Sequence, residues 1–357
     1  MAIPTQHKAL VTIAPSTQGE LEDVPTPHPA AGQILVKIVV AGIMPADWKI
    51  PAWGMWGDSY PMVFGFDGAG FVEEVGPGIT EFSQGDRVFF QGWGDEPGHA
   101  YHGTFQQYLV VPTYIVSKLP DRIQFEEGVT IFSPMSTVAI SLFSHKPGTD
   151  SLKMTPPWED GRGKYAGKSF FVNGGATQVG LFALQWAKIA GFGPIIAVAS
   201  LHNTGLVKAY GATHVIDRKL SQDKIIEQVK AIAGGLVDLS YETVVEEETI
   251  TLSAAAVRPG GQLVVVLPGK EPLIQKLTEP KDVQWVIARG LQSTEQNKGA
   301  LLGLLRKLPE LLEEGVIKPT PHEVLEGGLR AVPAGLERLR NNQVSGVRLV
   351  IRPHETQ

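Results

Sequence analysis

The run Val172-Asn173-Gly174-Gly175-Ala176-Thr177-Gln178-Val179-Gly180 follows an apolar stretch and opens a helical pattern. Glycine lets a backbone approach a diphosphate closely, and the first N–H groups of the following helix carry partial positive charge toward it. Thr177 replaces the middle glycine of the usual fingerprint, and its hydroxyl could itself bond a phosphate oxygen. The other reading is a purely structural turn. Further on, the next apolar run ends in Ser200 rather than Asp or Glu, with His202 and Asn203 just after it. A carboxylate there would hold the ribose 2′-hydroxyl of NAD and repel a 2′-phosphate, so these neutral residues favour NADPH. Lys208 and Arg218 would add positive charge, unless they are solvated surface positions.

Cysteine is absent from all 357 residues. Thiolate supplies four-sulfur structural zinc sites and accompanies histidine at the catalytic zinc of alcohol dehydrogenases. Neither site can form, so redox chemistry would fall to an organic cofactor surrounded by acids, amides and ammonium groups. His99 and His102 have the spacing of one helix face but fall in a glycine-rich loop, and read as surface side chains. A net charge of −6 offers no general electrostatic reason to bind nucleic acid or an anionic membrane. No run approaches the roughly 18 apolar residues of a membrane span, and Met1–Ala14 lacks a basic segment followed by an apolar one. These features predict a cytoplasmic protein.

The elements that must position these groups divide in two. From Lys8 to Phe125, short β-branched and aromatic segments (Gln33–Ala41, Gly70–Val75, Arg87–Gln91) are punctuated by proline and glycine, which predicts a twisted antiparallel domain. A helical segment runs from Glu126 through Phe143. The stretch Ser144–Gly167 holds three prolines and four glycines and predicts an exposed, mobile loop. From Lys168 to about Gly290 strands and helices alternate, as parallel βαβ units do. Strands are expected at Ser169–Val172, Ile195–Ala199, His214–Asp217, Val237–Tyr241, Gln262–Leu267 and Val283–Ala288, with a helix over Val179–Ala190. Ligands of such sheets lie beyond the strand carboxyl ends, so Val266, Leu267 and Pro268 should border a nicotinamide. Glu246-Glu247-Glu248 reads as a solvated helix start. Asn297–Glu314 and Val332–Asn342 predict helices and Val347–Arg352 a strand, in a tail expected to rejoin the first domain.

Several motifs then coincide. They are Ala41-Gly42-Ile43-Met44-Pro45-Ala46-Asp47-Trp48-Lys49, Pro61-Met62-Val63-Phe64-Gly65-Phe66-Asp67-Gly68-Ala69-Gly70, Gly85-Asp86-Arg87-Val88, the glycine turn, and Val344-Ser345-Gly346-Val347-Arg348-Leu349-Val350. Over nearly its whole length the chain resembles the zinc-free quinone-oxidoreductase and enoyl-reductase branch of the medium-chain dehydrogenase/reductase superfamily. The turn, Ser200-Leu201-His202-Asn203 and Asp47-Trp48-Lys49 look most like fungal trans-acting enoyl reductases that work beside polyketide synthases. Met44 stands where zinc-dependent members carry a ligand cysteine, and Gly65-Phe66-Asp67 where they carry Gly-His-Glu. Thioether and phenyl groups do not replace thiolate and imidazole on zinc.

The resemblance implies a GroES-like antiparallel β-barrel domain built from 1–125 and 293–357, with a Rossmann doubly wound parallel-sheet domain over 126–292. It also implies roles. Pro45, Asp47, Trp48 and Lys49 face the nicotinamide, with Lys49 stabilising charge or donating a proton and Asp47 orienting it; alternatively the pair only binds cofactor or joins the domains. Thr137 bonds the carboxamide or is a structural helix threonine. Arg218 takes the place of a phosphate-contacting tyrosine, and Val344 and Ser345 complete the cofactor set. Tyr60, just before Pro61, is a further donor or a packed loop tyrosine. Trp53, Met55 and Trp56 line an apolar pocket or fill the barrel's edge. The implied reaction is NADPH-dependent hydride transfer to a carbon–carbon double bond conjugated to a carbonyl, on a small-molecule substrate, by a monomer or homodimer with a polyketide-synthase partner. Quinone reduction and a catalytically silent NADPH-binding protein are the alternatives.

Overall fold

β-Branched and aromatic side chains set the first strands. The computed structural model describes residues 2–15, 17–53, 60–92 and 102–357. Its first elements are β1 (Gln6–Thr12), β2 (Glu20–Pro25), β3 (Gln33–Ile43), α1 (Ala46–Ala52), β4 (Met62–Val63), β5 (Asp67–Val75), β6 (Arg87–Gln91), β7 (Tyr108–Pro112), β8 (Val116–Lys118), α2 (Phe125–Gly128) and α3 (Phe132–Phe143). The single helix expected over Glu126–Phe143 is thus two. β3 is buried nearly throughout and pairs antiparallel with both β5 and β7, while β1 pairs antiparallel with β2 and β4.

The alternating segment follows as β9 (Phe170–Asn173), α4 (Gln178–Ala190), β10 (Ile195–Ala199), α5 (Thr204–Ala209), β11 (His214–Asp217), α6 (Gln222–Ala233), β12 (Val237–Glu242), α7 (Glu247–Ala256), β13 (Val257–Val266), α8 (Glu271–Thr278) and β14 (Gln284–Ala288). These strands form one parallel sheet in the order β11-β10-β9-β12-β13-β14. β9 and β10 are apolar on both faces because helices cover both. The order reverses between β9 and β12, so their carboxyl ends form the crevice where such sheets take ligands. Glu247 and Glu248 do lie in the first turn of α7.

The last elements are α9 (Leu302–Glu313), β15 (His322–Leu325), α10 (Val332–Arg340) and β16 (Arg348–Ile351). α9 starts five residues later than the leucine spacing indicates, after Gly299 at φ +77°. One compact unit comprises Met1–Ser133, Leu291–Gly315 and Pro319–Gln357; the other comprises Pro134–Gly290 and Val316–Lys318. Among the described residues no helix is long and apolar enough to cross a membrane.

The stretch Ser144–Gly167 departs from the expected exposed loop. The N–H groups of Leu152 and Met154 donate to the carbonyls of Ser141 and Leu142, both at 2.8 Å. The ring of Trp158 packs edge-on against Phe143 at 5.5 Å and Trp186 at 5.3 Å. Proline and glycine report irregular backbone, but Leu152, Met154 and Trp158 tie that backbone to α3 and α4.

In the first unit a buried ion pair joins β16 to β5. Arg348 Nη2 donates to Asp67 Oδ2 at 2.7 Å, with the side chains 2% and 0% exposed. Asp67 Oδ1 accepts the Ser133 N–H at 2.9 Å. The guanidinium lies over Gly42 of β3, where a Cβ would stand 2.9 Å from Nη2. Removing one partner leaves the other charge buried and uncompensated. Arg348→Met should therefore cost about 3–5 kcal/mol in urea unfolding, and Arg348→Met with Asp67→Leu should recover much of the loss. Equal stability of the single variant and the native chain would contradict this.

Candidate active site

The carboxyl end of β9 is shaped by contacts that only glycine permits. Gly174 adopts φ +80°. A Cβ at Gly175 would lie 2.8 Å from Ala197 Cβ, and one at Gly180 would lie 2.3 Å from the Gly174 carbonyl oxygen. The start of α4 is therefore pressed onto the turn. Thr177 is its N-cap: Oγ1 accepts the Gly180 N–H at 2.9 Å and donates its proton to Thr243 Oγ1 at 3.0 Å. The hydroxyl expected on a phosphate here caps α4 and bonds Thr243. An anion would meet Ala176, Gln178 and Val179, where helix geometry turns N–H groups out of the helix end. Backbone N–H groups at the start of a helix that follows a glycine turn are the donor set a diphosphate needs.

The neighbouring strand ends bring Ser200 and Arg218 together. Ala199 pairs with Asp217, and the Arg218 N–H donates to the Ala199 carbonyl at 3.1 Å. His202 and Asn203 occupy the short helical turn after Ser200, with Asn203 buried and His202 exposed. Lys208 lies in the last turn of α5, about 6 Å along the axis from its start, so only its long side chain reaches back toward the strand ends. Sequence reasoning missed Leu201, which is 57% exposed beside Ser200; an exposed leucine carries no spacing signal. Val266 ends β13 and Leu267 and Pro268 follow it, with Leu267 held at φ +70°, an unusual conformation for a side-chain-bearing residue. Thr137 is buried with Oγ1 against Gly290, where a Cβ would stand 2.1 Å away.

In the first unit, α1 carries Asp47, Trp48 and Lys49, with Pro45 as its N-cap. Asp47 Oδ2 reaches back to accept the Met44 N–H at 2.7 Å, and Oδ1 is buried with no hydrogen-bond partner. Among the described residues no ion pair joins it to Lys49, so the expected orienting contact is not formed. Residues two apart on a helix face different directions. Lys49 Nζ instead lies 5.8 Å from the Trp48 ring, whose centroid is 5.3 Å from the guanidinium of Arg340 on α10. Burial pushes the Asp47 carboxyl up to about 7, against the pull of its Met44 bond and of Arg348. Tyr60 packs on the barrel core 6.3 Å from Phe64, ring to ring; its hydroxyl is buried without a partner, and burial raises its pKa. Val344 is partly buried against the same core and Ser345 is exposed. Met55, Trp56 and His99 lie outside the described residues.

Known proteins share this arrangement. Residues 30–121 match the family described as alcohol dehydrogenase GroES-like domain, and residues 179–288 that described as zinc-binding dehydrogenase. The dehydrogenase orsE of Emericella nidulans is 30% identical over 93% of this chain and 95% of its own length. The chain belongs to the medium-chain dehydrogenase/reductase superfamily. The trans-enoyl reductase ACTTS2 of Alternaria alternata is 29% identical, covering 97% of this chain and 98% of that protein. The crystal structure of an alcohol dehydrogenase superfamily protein from Novosphingobium aromaticivorans superposes with a TM-score of 0.78 at 23% identity, over 97% of this chain and 99% of that one. This superfamily pairs a GroES-like barrel with a Rossmann domain that takes a nicotinamide cofactor. Among the described residues no group of three or more His, Cys, Asp or Glu side chains is placed to hold a metal ion.

The Asp47 carboxyl gives a signed pH effect. Its folded pKa of about 7 stands above the ordinary aspartate value, so its favourable contribution is complete below about pH 4 and is lost as pH rises through about 7. Asp47→Asn keeps an acceptor for Met44 and removes the titration. Between pH 5 and pH 8 the variant should gain roughly 2–3 kcal/mol on the native chain. Parallel denaturation curves with no pH-dependent gap would show that Asp47 does not titrate in this range.

Proposed function

We propose that this chain is a zinc-independent, NADPH-dependent reductase of carbon–carbon double bonds conjugated to a carbonyl, acting on enals, enones or enoyl thioesters. The observation that carries the cofactor choice is Ser200 at the end of β10 beside Arg218 at the end of β11: a neutral side chain and a cation where an NAD enzyme would place a carboxylate. The trans-enoyl reductase among the relatives supports the reaction. Gly174, Gly175, Ala176, Gln178, Val179 and Gly180 hold the diphosphate; His202, Asn203 and Lys208 border the adenosine phosphate; Val266, Leu267, Pro268 and Thr137 border the nicotinamide.

When bound, the nicotinamide supplies hydride to the β-carbon, and the protein must then stabilise an enolate oxygen and protonate the α-carbon. Lys49 is an ammonium with no carboxylate partner among the described residues, so its charge is not neutralised locally. Tyr60 retains its proton because burial disfavours the phenolate, and its O–H has no competing acceptor. Both are donors suited to a developing oxyanion. In keeping with the resemblance to trans-acting enoyl reductases, an enoyl thioester substrate would be presented by a polyketide-synthase partner, whereas free enals and enones need none.

Oxidation of NADPH with 2-alkenals, enoyl thioesters and quinones tests the reaction. Turnover with the first two supports it; turnover with quinones alone favours the quinone reading, and tight NADPH binding without turnover favours a silent binding protein. Lys49→Met should lower kcat by about ten- to a hundredfold while leaving the NADPH Kd within about threefold. The reverse pattern, weaker NADPH binding at native kcat, assigns Lys49 to cofactor binding and the proton to solvent. Ser200→Asp should weaken NADPH by about a hundredfold and improve NADH relative to it. An unchanged cofactor ratio would refute the 2′-phosphate site.

A further inference from the structure

The carboxyl end of β12 carries a buried glutamate that the reaction does not use. Glu242 is 0% exposed. Its Oε1 accepts the N–H groups of Val244 at 2.7 Å and Val245 at 2.9 Å, and its Oε2 accepts Asn173 Nδ2 at 2.9 Å and the Ser253 hydroxyl at 2.6 Å. Val245 sits at φ +72°, which a β-branched residue adopts only under constraint, and the carboxylate supplies that constraint through two successive N–H groups. The bend brings Thr243 over the glycine turn. Thr243 Oγ1 donates to the Asn173 carbonyl at 2.8 Å and the Gly174 carbonyl at 3.1 Å, and a Cβ on Gly174 would stand 2.3 Å from it.

The direction of every proton in this network is determined. The Gly180 N–H donates to Thr177 Oγ1, Thr177 to Thr243 Oγ1, and Thr243 to the two carbonyls that end β9. Asn173 is held twice more, its Nδ2 donating to Glu242 and to the Thr249 carbonyl at 3.2 Å. The turn is thus clamped from the opposite side of the switch point.

We infer that Glu242 and Thr243 are positioning residues for the cofactor diphosphate: they bond the turn rather than a ligand, and fix the peptide planes that aim the first N–H groups of α4. The inference rests on the reading of this turn as a dinucleotide site. Thr243→Val keeps the side chain's shape and removes the hydroxyl. With the full chain, calorimetry should show the NADPH Kd rising about tenfold, while the Kd of 2′-AMP, which lacks the diphosphate, stays within about twofold. Thr243→Ser should return NADPH binding to near the native value. A merely structural role would lower thermal stability without splitting the two ligands. An unchanged NADPH Kd in Thr243→Val, equal weakening of both ligands, or failure of serine to restore binding each overturns the inference. If Thr243→Val does not fold, Glu242→Gln, which sets an NH₂ against Asn173 Nδ2, must show the same split. A native chain that binds neither NADPH nor NADH overturns the reading of the turn, and the inference with it; a native chain that binds NADPH while the variants bind equally well overturns the inference alone.

Discussion

The 2.3 Å that would separate a Cβ at Gly180 from the Gly174 carbonyl oxygen is shorter than any side chain survives. That approach decides where α4 begins, and α4 in turn decides where the N–H groups at its end can point. Gly174 must reverse the chain at φ +80° so that β9 feeds a helix packed directly beneath it. The structural turn is what the structure shows, and the proposed diphosphate site is built on the same glycines. The close packing that excludes a Cβ fixes where α4 starts, and the start of a helix is where unpaired backbone donors lie.

The first unit solves a different problem. Without thiolates, its buried charge is organised around a guanidinium. Asp67 and Asp47 are both buried, and Arg348 lowers the pKa of each while Asp67 raises that of Asp47. One cation cannot fully compensate two carboxylates in a low-dielectric interior. The direct ion pair goes to Asp67, and burial raises the Asp47 pKa to about 7 against its backbone bonds from Met44 and Gly65. A carboxyl that titrates near 7 is thereby built into the helix that also carries Lys49.

Much of this was legible in the residues, and the failures share a cause. Ile195–Ala199 is a strand to the residue because an apolar run in a parallel sheet needs no partner to identify it, and His214–Asp217, with only Val215 and Ile216 apolar, matches through the alternating rhythm around it. The barrel and the Rossmann sheet followed from rhythm and motif together. By contrast, Ser144–Gly167 reads as loose from its prolines and glycines, and nothing local announces that Trp158 will reach Trp186. Asp47 and Lys49 look like a pair in the sequence, but helical geometry turns them apart and hands the carboxylate to Met44. Thr177 reads as a phosphate ligand, and nothing in the spacing announces its bonds to Gly180 and Thr243. Spacing encodes what a backbone segment does to itself; it does not encode which distant group takes a hydroxyl's single proton.

Glu242 illustrates the point most sharply. A carboxylate one residue removed in the sheet from an anion-binding turn would seem to oppose the ligand. Four donors surround it, however, and each takes up part of its charge. Burial raises its pKa against those same bonds. Asn173, the donor closest in sequence to Gly174, turns its amide nitrogen toward the glutamate and so interposes a dipole between acid and turn. The negative charge is spent on holding a strained loop in place, and what faces the crevice is the backbone that this loop orients.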